Sequence, residues 1–194
     1  MKLRGLVVTA VVACAVGWVG RSVFSDDPPM NPPAEDPMKA WAEFGKPGEE
    51  QARLKAFVGE WAVHVKMTGE AGKEEEMDGT STFTMVMGDR YLRQVAIGSF
   101  GGAPFEGNAI FAYDKGAKKW VSSWIDSMGT GIMAGEGEET VKGKSWTFKS
   151  SFVGPTGPTA TKDVYTFVSD KEISHESFMG GSDKPMMTLN YKRK

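Results

Sequence analysis

Residues 120–137 read WVSSWIDSMGTGIMAGEG. The first half alternates: Trp120, Ser122, Trp124 and Asp126 fall on one face, Val121, Ser123, Ile125 and Ser127 on the other. Period-2 alternation that runs into a glycine-containing turn predicts a β-hairpin. Two tryptophans and a carboxylate share one face of it. The same alternation recurs on both sides of this hairpin. Strands are predicted at 61–68, 79–87, 91–100, 105–113, 119–127, 131–138, 145–152, 162–169, 173–179 and 187–192. The links are short, polar and rich in glycine, as the turns of an antiparallel meander require. About ten such strands in succession predict an all-β, up-and-down barrel, because closure removes the exposed sheet edges.

Before the strands the chain changes character. Asp36 is placed to cap a helix with Pro37 at its first position, running to Phe44. A second short helix starts after Pro47-Gly48 and carries Ala52, Leu54, Phe57 and Val58 up to Gly59. Residues 26–37, DDPPMNPPAEDP, are too rich in proline for helix or ladder and read as a tether. Residues 1–25 read as a leader: Lys2 and Arg4 precede a 14-residue run from Leu6 to Val19 broken only by Thr9. As a helix that run spans about 21 Å, short of a bilayer core of about 30 Å. Export to the periplasm or the medium, with cleavage before Asp26, is therefore expected. An uncleaved leader holding the protein to the membrane through residues 6–19 is one alternative. A lipobox-like Val11-Val12-Ala13-Cys14 is another. The domain proper is then 38–194.

Composition narrows the function classes. The whole chain has 23 basic and 25 acidic residues, and removal of residues 1–25 takes Lys2, Arg4 and Arg21 but no acid. An acidic domain argues against nucleic acid as a partner. The one cysteine, Cys14, lies in the leader, so the domain has no disulfide, no thiol nucleophile and no cysteine zinc site. Gly129-Thr130-Gly131-Ile132-Met133-Ala134 matches a dinucleotide-binding spacing, but the residues after it are strand-like rather than helical. No serine-hydrolase elbow, metalloprotease helix or phosphate loop occurs.

Phe57-Val58-Gly59-Glu60-Trp61 resembles the start of the first strand in lipocalins and related calycins. The resemblance implies that Trp61 closes the barrel floor under a basic residue from the last strand. Arg193 is the candidate, a cation over an indole face. A closer resemblance covers most of 38–194. Its marks are Gly88-x-Arg90-Tyr91-Leu92, Pro104-Phe105-Glu106-Gly107, Tyr113-Asp114 and the run from Trp124 through Asp126-Ser127-Met128-Gly129-Thr130-Gly131-Ile132-Met133 to Glu136-Gly137. These identify the chain as a member of the bacterial family called domain of unknown function 1579. The resemblance implies a calycin-like barrel and supplies no catalytic residue.

A wide barrel of about ten strands can hold a ligand. Trp124, Asp126, Met128, Thr130, Met133 and Glu106 are the expected lining of a site for a small, largely apolar molecule, with Trp61 and Arg193 as structural residues. An inward Asp126 or Glu106 needs a partner, for which Arg93, Tyr91 and Thr130 are candidates. The methionines at 128, 133, 179, 186 and 187 suit a soft lining better than a copper site. His64 should face outward with Lys66. His175 shares a face with Ile173 and Ser177 and is the one candidate haem or metal ligand. One histidine without a second ligand makes no site, so no cofactor and no metal are expected. Two other functions remain open: a hydrolase or isomerase with Asp126 or Glu106 as general base, and an interaction module with a filled barrel. No oligomeric state can be read from the residues.

Overall fold

The computed structural model describes residues 36–69 and 72–194. The leader, and residues 26–35 of the tether, lie outside the described residues. Asp36 caps helix α1 (Pro37–Phe44) as its sequence predicts: its Oδ1 accepts from the backbone N–H of Met38 and Lys39. Helix α2 (Glu49–Leu54) comes next and tightens into a 3₁₀ turn, Lys55–Phe57. Ten strands then run antiparallel in chain order: β1 (Gly59–Thr68), β2 (Glu74–Val86), β3 (Tyr91–Phe100), β4 (Ala103–Asp114), β5 (Lys119–Asp126), β6 (Met133–Val141), β7 (Ser145–Gly154), β8 (Gly157–Ser169), β9 (Glu172–Met179) and β10 (Met187–Arg193). Each pairs with its successor, and β10 pairs back onto β1, so the barrel is closed.

Several strand limits differ from those predicted by alternation; β8, for example, begins at Gly157, five residues before the predicted 162. β2 begins at Glu74, five residues earlier than its alternation shows. The run Glu-Glu-Glu-Met-Asp lacks apolar periodicity, yet it faces the basic outer edge of β1. Lys66 lies opposite Glu76 with Nζ 2.8 Å from Oε1, and His64 lies opposite Asp78 with Nδ1 2.9 Å from Oδ1. Cross-strand charge pairing extends the ladder where burial does not. β6 begins at Met133, two residues late, because the turn after Asp126 is wider than the glycines imply.

One end of the barrel is closed by the helical segment. Phe57 drops into it, with ring centroids 4.7 Å from Phe167, 5.2 Å from Trp146 and 5.7 Å from Phe83. Trp61 is fully buried, and its Nε1–H donates to the Phe57 carbonyl at 2.8 Å. The Arg193 guanidinium sits 4.1 Å from the Trp61 ring centroid and donates to three backbone carbonyls, Val58 at 2.6 Å, Ala56 at 2.8 Å and Asp170 at 2.9 Å. One side chain thus ties the last strand to the 3₁₀ turn and to the β8–β9 link. Gly59 completes the floor. Its φ is +138°, and a Cβ there would stand 2.7 Å from Arg193 Nη1, so both the backbone and the cation require glycine.

The closed half is solid. Leu54, Phe57, Leu92, Phe111, Trp146, Phe148 and Tyr165 leave a void of only about 10 Å³ between them, about the room of one water. Burial raises the phenol pKa of both Tyr165 and Tyr191, the second despite a partly offsetting hydrogen bond to Gln94. Both phenols stay protonated in the folded barrel above pH 10, where an unfolded tyrosine ionises. The folded state then holds more protons than the unfolded state. The contribution of these two phenols to stability is therefore constant below about pH 10 and falls above it. Phenolate absorbance from these two residues should appear only together with loss of the β-sheet circular dichroism. Phenolate signal from both in the intact barrel would contradict their burial.

Candidate functional site

The other half of the lumen is built differently. The hairpins 100–103, 127–132, 154–157 and 180–186 ring this end, and no helix covers it among the described residues. Ladder register places Trp120, Ser122, Trp124 and Asp126 on the inner face of β5, as the alternation predicts. Trp124 stands at the mouth, stacked on Phe105 with centroids 6.4 Å apart and planes at 23°. Its indole lies so close over β4 that a Cβ on Gly107 would come within 2.3 Å of two ring atoms.

The expected lining is only partly brought together. Trp124, Asp126 and Met133 face the mouth. Glu106 does not: Phe105 and Gly107 take the inner positions of β4, so Glu106 points outside and accepts from Asn108 Nδ2 at 3.2 Å. Met128 and Thr130 lie exposed in the wide β5–β6 turn. The partners expected for Asp126 are also corrected. Its Oδ2 accepts from Trp124 Nε1 at 2.6 Å and its Oδ1 from the Met128 N–H at 2.8 Å. Asp126 fixes the indole and shapes the turn, while Arg93 and Tyr91 occupy outer positions of β3. As expected, His64 is on the outer wall.

Between the aromatic floor and the mouth runs a belt of polar side chains that alternation alone does not assemble. Gln94 on β3, Ser81 on β2, Tyr191 on β10, His175 on β9 and Asp163 on β8 all face inward. Gln94 is 2% exposed, and its Nε2 donates to Ser81 Oγ at 3.0 Å and to the Tyr191 hydroxyl at 3.5 Å. Its Oε1 is buried with no partner among the described residues. His175, 6% exposed, stacks on Tyr165 with centroids 4.0 Å apart, and its Nε2 lies 3.0 Å from Asp163 Oδ1. A carboxylate only accepts, so Nε2 carries the proton of this bond, and with one proton on the ring Nδ1 keeps a lone pair. Nδ1 is also buried and unpartnered among the described residues. Asp163 itself remains 19% exposed towards the mouth.

Such an arrangement is costly in a core. A buried polar atom without a partner costs about 1–3 kcal/mol. Two of them lie in one belt, and Ser177 is buried at the same level. On the facing wall Ser122, Gly135 and Ser150 are small inward residues. Met133 reaches across it, with its sulfur 3.7 Å from Thr161 Oγ1. No group of three histidine, aspartate or glutamate side chains stands ready for a metal among the described residues.

The signal for this belt is present in the alternation. Gln94 comes two residues after Leu92, Ser81 two before Phe83, and Asp163 two before Tyr165, each in the buried phase of its strand. A polar residue in a buried phase is the informative observation.

One solved structure shares the fold. Rv2717c from M. tuberculosis is similar with a TM-score of 0.56 at 14% identity, over 77% of this chain and 99% of its own. The S-type phycobiliprotein lyase CPES from Guillardia theta gives 0.49 at 14% identity, over 79% and 96%. A redesigned beta barrel, b11L5F_LGL, gives 0.41 at 15% identity, over 73% and 95%. The first of these is a likeness of fold alone. No curated protein matches the chain in sequence. The family assignment comes from the sequence itself, and the chain belongs to the family described as protein of unknown function DUF1579, whose model matches residues 46–193.

Proposed function

We propose that this barrel binds a small, largely apolar molecule in its open half, and that it does so in an exported protein. The polar belt carries this reading. Evolution readily replaces a costly buried polar group by an apolar one unless function retains it, and here the unpartnered atoms sit beneath an uncovered mouth. The walls above the belt are apolar: Trp124, Phe105, Met133, Val65 and Leu189. A few polar anchors within apolar walls is the usual plan of a small-molecule site. The ligand stays in the upper half because the aromatic floor leaves it no depth.

The bond between His175 and Asp163 favours a second reading, in which the other imidazole nitrogen acts as a general base. It replaces Asp126 and Glu106 in that role, since the first is engaged by its own hairpin and the second faces outward. A binding protein returns its ligand unchanged and an enzyme does not, which separates the two.

Gln94→Met tests the belt. It removes the orphaned oxygen and takes a donor from Ser81 and from the Tyr191 hydroxyl, opposing effects on stability that should leave it within about 2 kcal/mol of the wild type while the bound molecule is lost. A loss above about 2 kcal/mol with binding intact would make Gln94 a structural residue. Trp124→Ala should likewise abolish any ligand-induced change in tryptophan fluorescence and leave the barrel folded.

A further inference from the structure

We infer that the molecule taken by the mouth is an organic cation, an ammonium group on a ring-sized apolar body; this rests on the reading of the mouth as a binding site. The charged side chains at inner strand positions of the open half are of one sign. Asp126 and Asp163 occupy inner positions of β5 and β8. No lysine or arginine does so there among the described residues: Lys66, Arg93, Lys149, Lys162 and Lys192 all take outer positions, and Arg193 lies at the closed end. An anion entering this space would meet two carboxylates without a compensating cation.

The spare hydrogen-bonding capacity has the same sense. Gln94 Oε1 is an acceptor, because the amide nitrogen is spent on Ser81 and Tyr191. His175 Nδ1 is buried without a partner among the described residues while Nε2 is spent on Asp163, and with one proton on the ring it offers a lone pair. Asp163 has a second oxygen at the exposed edge of the belt. An ammonium group brings several N–H donors and no acceptor, which complements all three. Above them Trp124 and Phe105 are stacked, and an indole face attracts cations. A bare metal ion fits less well, since the described residues offer no cluster of three hard ligands and the walls are apolar.

The test uses the full chain and three probes of one shape: benzylammonium, benzyl alcohol and benzoate, titrated by calorimetry and followed by tryptophan fluorescence. Benzylammonium should bind about tenfold or more tighter than benzyl alcohol, and benzoate should show no saturable binding. Asp163→Asn keeps an acceptor for His175 and should erase that preference, so that within the variant benzylammonium binds no tighter than benzyl alcohol. If this variant does not fold, the order of the three probes on the wild type decides alone. Equal or tighter binding of benzoate or benzyl alcohol, or a preference that survives Asp163→Asn, would overturn the cationic assignment and leave the mouth as a site. Failure of all three probes to bind would overturn the mouth itself, and the assignment with it.

Discussion

Trp61→Ala is expected to lower the unfolding free energy by about 3–5 kcal/mol, the largest single effect in the domain. The indole is fully buried, and its loss opens a cavity beneath the helical plug. Three connections fail with it. The Phe57 carbonyl loses the Nε1–H donor, Arg193 loses the ring beneath its guanidinium, and the plug residue Phe57 loses a wall. Arg193 would still reach the carbonyls of Val58 and Ala56, so the floor should remain in place although loosened. The urea midpoint should fall with an unchanged slope, since the surface exposed on unfolding is nearly the same. A loss smaller than about 1 kcal/mol would show that the floor is not held by this residue.

Gly107→Ala is expected to act on the mouth with a comparable local force. A Cβ at that position would stand 2.3 Å from two atoms of the Trp124 ring, a distance that no packing tolerates. The indole must leave, which breaks its 2.6 Å bond to Asp126 and its stacking on Phe105. Overpacking of this kind costs about 1–3 kcal/mol. The cost in binding should exceed tenfold, or roughly 1.4 kcal/mol, because Trp124 supplies the aromatic wall. Tryptophan emission should shift to the red as the indole meets water, with Trp124→Phe as the reference that removes the shift. Unchanged emission and unchanged affinity in Gly107→Ala would place Trp124 outside the site.

Architecture was legible because every strand of a closed barrel has one wet and one dry face. That doubles the signal of alternation, and ten strands with their order emerge from it. Trp61 and Arg193 were legible through a resemblance, and the structure supplies the physics behind it in Gly59, whose backbone and cation contact both exclude a side chain. The start of β2 was not legible, because its ladder is extended by charge pairs rather than by burial. The site was only partly legible, because the conspicuous groups near the hairpin are not all inside. Glu106, Met128 and Thr130 lie on the outer wall or in the turn. Alternation alone assigns Glu106 to the face of Asn108 and Ile110 but does not say which face is inner until Gly107 is seen under Trp124. Gln94 and Asp163 are hard to see because a single polar residue in a buried phase weakens the pattern that marks the strand. Alternation gives His175 no side, and only the register with Tyr165 turns it inward.

The most direct measurement is the mass of the full chain, purified without denaturant and compared before and after unfolding. The expected result is a small molecule released on unfolding from the wild type and absent from Gln94→Met, recovered chemically unchanged and carrying a basic nitrogen. Identical masses before and after unfolding, in wild type and variant alike, would contradict a binding role for the open half of the barrel.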